Sequence, residues 1–213
     1  MVFKEIDYTT AIDFLLPRHY SGRKPVVSVA YGWYDQDRLM AVCTFGKPAS
    51  PSLCRGIMGE EFKASVYELN RLCREEDLTE PLSKFVGLCL RSLRSKNWIV
   101  VSFSDTGMNH NGYIYQATNF MYTGVTKKRT DMYTEGNKHS RHYKHSKQTG
   151  LRKVRTPKHR YVYFCTSDKK LRRLWKEQMR YPVLPYPKGE NRNYELGFVF
   201  KQEIVKDERK VNE

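Results

Sequence analysis

The chain has 213 residues, 39% hydrophobic and 29% charged, and carries a net charge of +15. That size fits one domain, or one domain with an appendage. No apolar run approaches the roughly 18 residues of a membrane span, and Met1-Val-Phe-Lys-Glu lacks the apolar stretch of a signal peptide. The five cysteines (Cys43, Cys54, Cys73, Cys89, Cys165) are odd in number and form no C-x-x-C pair. This argues against a disulfide framework or a cysteine zinc site and for a reducing cytoplasm.

In chain order, Thr9 or Thr10 is placed to cap a helix through Leu16, which Pro17 stops. His19-Tyr20-Ser-Gly follows as a loop. Val26–Trp33 and Leu39–Phe45 read as strands joined by a turn at Asp35-Gln-Asp-Arg38. Gly46 to Ser52 is too rich in Pro and Ser for regular structure. Val66–Cys73 alternates as a strand, and Arg74–Pro81 is a loop. Leu82, Phe85, Val86, Cys89, Leu90 and Leu93 repeat at helical spacing on one face. Trp98–Phe103 is an apolar, buried strand. Asn111–Asn119 is a short helix and Phe120–Thr126 a strand. Thr134–Thr156 reads as a basic loop and Tyr161–Cys165 as a short strand. Ser167 is placed to cap a helix carrying Leu171, Leu174, Trp175 and Met179. Tyr181–Pro187 is extended by its three prolines, and the charged last dozen residues should fray.

The charge is uneven. Lys127 to Arg180 holds 18 Lys or Arg against 4 Asp or Glu, and the rest of the chain is nearly neutral. Aromatic rings are interleaved with these cations, among them Tyr133, Tyr143, Tyr161, Tyr163, Phe164 and Trp175. Cations for phosphates and flat rings for bases describe a nucleic-acid surface. A solubilising basic segment is the plainer alternative.

No phosphate loop, nucleophile elbow, zinc-protease or dinucleotide motif occurs. The informative residues are polar ones at strand ends, where α/β sheets bind ligands. Glu68 stands among apolar neighbours. It either pairs with Arg71 or, with its pKa raised by burial, acts as a base. Asp105, after Ser104, either caps the next turn or belongs to the site. His110 is an exposed loop residue or a site residue. One of Tyr113 and Tyr115 packs while the other faces a cleft. His139, His142 and His145 lie three apart, so a helix would make them neighbours, but the Lys and Arg between them oppose a cation.

The segments Phe45-Gly-Lys-Pro-Ala-Ser-Pro-Ser-Leu53, Tyr67-Glu-Leu-Asn-Arg-Leu72, Ser104-Asp105, His110-Asn-Gly-Tyr-Ile-Tyr-Gln-Ala-Thr-Asn-Phe120 and Lys138-His-Ser-Arg141 resemble the Mom proteins of bacteriophage Mu and relatives. The strand–helix–strand run and the Tyr-rich helix resemble, more widely, the GNAT acyltransferases. The resemblance implies an α/β fold, a GNAT-like central mixed sheet flanked by helices, with a basic C-terminal extension. It implies modification of adenine in DNA on its exocyclic amine with a carbamoylmethyl group, which shields the DNA from restriction. It also implies an acetyl-CoA-related donor and an iron ion. GNAT proteins cradle the CoA pyrophosphate on a glycine-rich turn before the central helix; here Glu75-Glu-Asp-Leu-Thr-Glu-Pro-Leu-Ser83 stands in that place.

The expected organisation is a catalytic core at 1–133 and a DNA-binding extension at 134–213. Glu68, Arg71, Ser104, Asp105 and Tyr115 are the expected catalytic residues. Ser83, Lys84 and Asn119 are the donor contacts, and His19 and His110 the metal ligands. Tyr20, Lys47, Lys127, Lys128, Arg129, Lys138, His139, Arg141, Lys158 and Arg160 are assigned to double-stranded DNA. A nucleic-acid-binding protein without catalysis and an acetyltransferase of another amine are the rival readings.

Overall fold

The computed structural model describes residues 1–134, 150–189, 198 and 203–207. Strand β1 (Val2–Ile6), unforeseen in the sequence, pairs antiparallel with β2 (Val29–Asp35), which pairs antiparallel with β3 (Arg38–Gly46). Helix α1 (Tyr8–Arg18) connects the first two strands. Its cap is Asp7, whose carboxylate accepts from the Thr10 amide at 2.9 Å, and Pro17 sits inside its last turn instead of ending it.

Helix α2 (Pro51–Phe62) begins within the segment expected to be irregular. Pro51 suits a first helical position, where its missing N–H costs no hydrogen bond. Strand β4 (Val66–Arg74), helix α3 (Leu82–Ser92) and strand β5 (Trp98–Asp105) follow where the periodicity places them. Helix α4 (Tyr113–Ala117) leads into β6 (Met121–Val125). The later strands are β7 (Arg129–Met132), β8 (Leu151–Arg155), β9 (Lys158–Cys165) and β10 (Ile204–Lys206). Helix α5 (Lys169–Gln178) is capped by Asp168, one residue beyond Ser167.

Seven strands form one sheet in the order β1-β2-β3-β4-β5-β9-β6. The pairing is antiparallel throughout except between β4 and β5, which run parallel. This is the central mixed sheet flanked by helices that the resemblance implies. Strands β10-β8-β7 form a separate small sheet. A boundary at 133/134 would cut through the large sheet, because β9 inserts between β5 and β6. The basic extension is therefore woven into the core, and its strands β8 and β10 join β7, from before that boundary, in the small sheet.

Alternation along β5 lays a core on each face. Val100 faces the side covered by α3, with Phe85, Val86, Cys89 and Leu90. Trp33 stacks on Phe85 there at 5.4 Å. Ile99 and Val101 face the side covered by α2 and α5, with Ile57 and Trp175. Each such large apolar side chain contributes about 1.5–3 kcal/mol by leaving water. All five cysteines are buried, and none forms a disulfide. No helix among the described residues is long and apolar enough to cross a membrane.

Two local devices hold α4 and the end of β5 in place. Gly112, at φ +78°, starts α4; a Cβ there would lie 2.4 Å from the Tyr161 ring. Asp105 ends β5 and joins the two sheets. One carboxylate oxygen accepts from the Gly107 amide at 3.0 Å and from the Thr156 hydroxyl, and the other pairs with Lys158 at 2.9 Å. Thr156 and Lys158 flank the turn from β8 to β9. Burial raises the Asp105 pKa, but Lys158 and the hydroxyl and amide donors outweigh it and hold the carboxyl below its ordinary value.

Gly112→Ala should therefore lower stability by about 2–4 kcal/mol, from overpacking and a strained backbone, measured by denaturant unfolding. Asp105→Asn should cost about 1.5–3 kcal/mol at neutral pH. Because the folded pKa of Asp105 is depressed, that stabilisation exists above the ordinary aspartate value and disappears as pH falls through the folded one. The gap in melting temperature between the two proteins should then close in acid.

Candidate active site

Strands β4 and β5 pair over three positions, Val66–Glu68 against Ile99–Val101, and then part. Past that point the Ser102 hydroxyl donates to the Leu69 carbonyl at 2.8 Å, taking the place of a strand-to-strand bond. The opening widens into a cleft of about 1540 Å³. Its floor carries Glu68, Arg71, Ser104 and Asp105, with His19 and Tyr20 from the end of α1 and Tyr113 and Tyr115 from α4. Lys153 and Arg155 of the small sheet line it from the other side.

Glu68 is partly buried at the mouth of the split. Burial raises its pKa, with Arg71 and Lys158 pulling the other way. No ion pair joins it to Arg71 among the described residues. The Arg71 guanidinium donates instead to the carbonyls of Asn70 at 2.6 Å and Arg23 at 3.2 Å, and its buried Nε has no partner. Arg71 therefore acts on Glu68 through its charge and not through a direct ion pair among the described residues.

Tyr115 packs against Phe120 at 5.3 Å and Tyr161 at 5.2 Å while lining the cleft. Burial pushes its pKa far up, so the phenol keeps its proton; the Ser102 hydroxyl opposes this weakly. Tyr113 also lines the cleft but is two-thirds exposed, so both tyrosines face the cleft and Tyr115 is the one that also packs. The Tyr20 phenol is pushed up to about 12 by burial, and its ring stacks on His19 at 4.5 Å. Ser104 is buried, with a hydroxyl that finds no partner among the described residues.

Several expected roles need correction. Asp105 has both carboxylate oxygens engaged and a lowered pKa, which suits an anchor and not a proton acceptor. Ser83, Lys84 and Asn119 lie off the cleft; Lys84 pairs with Glu80 at 2.8 Å. Lys47 donates to the Val66 carbonyl at 3.4 Å and lies over the Tyr67 ring at 3.6 Å, so it is held by its own chain. Arg160 is buried, bonded to Thr123 through Nε at 2.9 Å and stacked on Tyr181 at 3.4 Å, and is structural. Lys127, Arg129 and Lys158 do line the cleft; Lys128 is exposed outside it. Lys138, His139 and Arg141 lie outside the described residues, as do His142 and His145.

His19 and His110 both reach the cleft. Burial, then Arg71 and Lys158, keep His19 neutral, and its Nδ1 is engaged by the Ser21 side chain at 2.9 Å. No three His, Cys, Asp or Glu side chains converge to hold a metal among the described residues. The described side chains thus do not fit an iron centre.

Beyond Glu68, β4 no longer pairs with β5, and the Leu69 and Asn70 carbonyls accept from Ser102 and Arg71. At the start of α3, Glu75, Asp77 and Glu80 are tied up by Arg18, Arg38 and Lys84. Those acids are neutralised, but no glycine turn is present there to cradle a pyrophosphate.

Cations dominate the cleft. Nine Lys or Arg side chains line it against four Asp or Glu, so its field favours anions. Arg23, Lys153 and Arg155 were not legible as site residues. Their signal was the spacing of Lys153 and Arg155, two apart and hence on one face of a strand, inside a segment that reads as loop.

Several solved acetyltransferases are similar to this chain. One is an N-acetyltransferase from Staphylococcus aureus Mu50, 9% identical with a TM-score of 0.49, covering 78% of this chain and 98% of its own. Another is a putative acetyltransferase from Salmonella typhimurium with its cofactor acetyl-CoA, at 8% and 0.48, covering 79% and 95%. A third is the aminoglycoside 6'-N-acetyltransferase from Enterococcus faecium, at 11% and 0.47, covering 79% and 99%. No curated protein matches. The profile of the Mom protein family matches residues 1–188, which span the whole large sheet and every residue lining the cleft except Ile204, and the chain belongs to that family.

Proposed function

We propose that this chain is a transferase that adds a carbamoylmethyl group to the exocyclic amine of adenine in DNA and so protects the DNA from restriction. The observation that carries this reading is the pairing of a raised-pKa carboxyl, Glu68, with a protonated phenol, Tyr115, in one cation-lined cleft.

The chemistry explains why both are needed. The exocyclic amine of adenine is conjugated with the ring and weakly nucleophilic. It must lose a proton as its new N–C bond forms. Glu68 is placed to accept that proton and, with a raised pKa, is a stronger base than an ordinary carboxylate. Tyr115 is placed to protonate a departing group. A base inside the duplex cannot reach the split between β4 and β5, so the nucleotide must be extruded. The Tyr20 ring, already stacked on His19, offers a flat surface beside the site.

An acyl-CoA-related donor would enter the split between β4 and β5 and supply the activated carbon. Attack on an acetyl thioester carbonyl breaks its C–S bond, releases the thiol and gives an acetyl group. A carbamoylmethyl product instead requires a donor with a carboxamide and, on the adjacent carbon, a leaving group that is expelled and protonated as the N–C bond forms there. Chain residues orient the amine and move its proton in either case.

Mass spectrometry of nucleosides from plasmid DNA in expressing cells tests the reading. A deoxyadenosine heavier by a carbamoylmethyl group is expected. Glu68→Gln and Tyr115→Phe should each lower its yield about 10²–10⁴-fold while leaving DNA affinity within a few-fold. Unmodified DNA from soluble wild-type protein that still binds DNA would leave a nucleic-acid-binding module in its place.

A further inference from the structure

We propose that Arg23, Lys153 and Arg155 form a phosphate-binding site on the small-sheet side of the cleft, which holds a backbone phosphodiester of the nucleotide whose base enters the split. This rests on the reading of the cleft as a nucleic-acid site.

Lys153 is 4% exposed, on the cleft face of β8 with Arg155 two residues on. Arg23 approaches from the loop after α1, where its carbonyl accepts from Arg71. These like charges crowd one wall of the cleft. Burial, then Arg23 and Arg155, depress the Lys153 amine, and burial, then Arg155, depresses Arg23. One acid on that wall, Asp131, offsets them; it pairs with Arg155 at 3.6 Å and with Arg129 at 4.0 Å. The buried Arg71 Nε, unpartnered among the described residues, adds a further donor beside this group. Crowded, shielded cations are costly to the free protein and become favourable when a doubly coordinated anion arrives.

A phosphate ester could come from the polynucleotide or from a CoA-type donor. The layout favours the polynucleotide. The cationic wall continues through Arg129 to the exposed Lys127 at the rim, so it runs from inside the cleft to outside it, as a strand would. Lys153 and Arg155 also belong to the small sheet and not to α3, whose first residue, Leu82, lines the cleft as well.

The test is equilibrium binding of a fluorescent adenine-containing oligonucleotide across a salt series, with calorimetric titration of CoA in parallel, on wild type, Lys153→Met and Arg155→Gln. The methionine keeps the length of the stem and removes the charge. Both variants should weaken oligonucleotide binding tenfold or more and reduce the salt slope by about one unit. Lys153→Met should also melt no lower than wild type, because it relieves like-charge crowding; a merely structural lysine would lower the melting temperature. CoA affinity should not move. Unchanged oligonucleotide affinity and slope would overturn the proposal, and so would loss confined to CoA. The modification reading fails separately: wild-type DNA without the heavier nucleoside, together with weakened binding by Lys153→Met, would sink that reading and leave the phosphate site standing.

Discussion

Everything at this site depends on β4 and β5 running parallel for three positions and then separating. A parallel pair that stayed zipped past Glu68 would leave no cleft. Separation needs its backbone groups satisfied elsewhere, since an unpaired buried carbonyl costs about 1–3 kcal/mol. The chain meets this with side chains: Ser102 donates to the Leu69 carbonyl and Arg71 to that of Asn70. Tyr115 fills the space beside the gap, held there by the sharp start of α4 at Gly112. The opening is thus a built feature of the sheet, and two of the residues that prop it, Arg71 and Tyr115, also line the cleft.

The second constraint is the tie between the two sheets. Asp105 holds the turn between β8 and β9 through Thr156 and Lys158, and the Thr106 hydroxyl donates to the Pro157 carbonyl at 2.7 Å. Arg152 locks the small sheet internally, donating to Thr130 through Nε at 2.6 Å and pairing with Asp207 at 3.2 Å. The small sheet is therefore presented over the cleft by a fixed contact. A strand end that looks catalytic in sequence turns out to be the joint that brings a cationic wall to face the reactive one.

Much of this was legible in sequence because it rests on local pattern. The apolar stripe of α3, the buried run of β5 and the helix-to-strand run through α4 and β6 each have one periodicity. Glu68 and Tyr115 were legible because a polar group at a strand end and a resemblance pointed to the same places. What failed was non-local. Nothing in Lys158 to Cys165 tells that this strand inserts between β5 and β6. Arg160 looks like a phosphate contact until Thr123 and Tyr181 are seen around it. Asp105 offers the same sequence signal as cap or as catalyst, and only its three partners decide. Leu151–Arg155 was hidden as a strand because its alternation is cationic, where strands usually alternate with apolar residues.

The central claim is that the parting of the strands makes Glu68 a proton acceptor. Its most direct test is the pH dependence of adenine modification by wild type and Glu68→Gln at saturating DNA. The raised pKa means that Glu68 stays protonated, and idle, to higher pH than an ordinary glutamate. Wild-type rate should therefore rise with pH through an apparent pKa above the usual value of about 4.3, and the residual rate of Glu68→Gln should lack that rise. An identical limb in both proteins would assign the proton to another group and contradict the account.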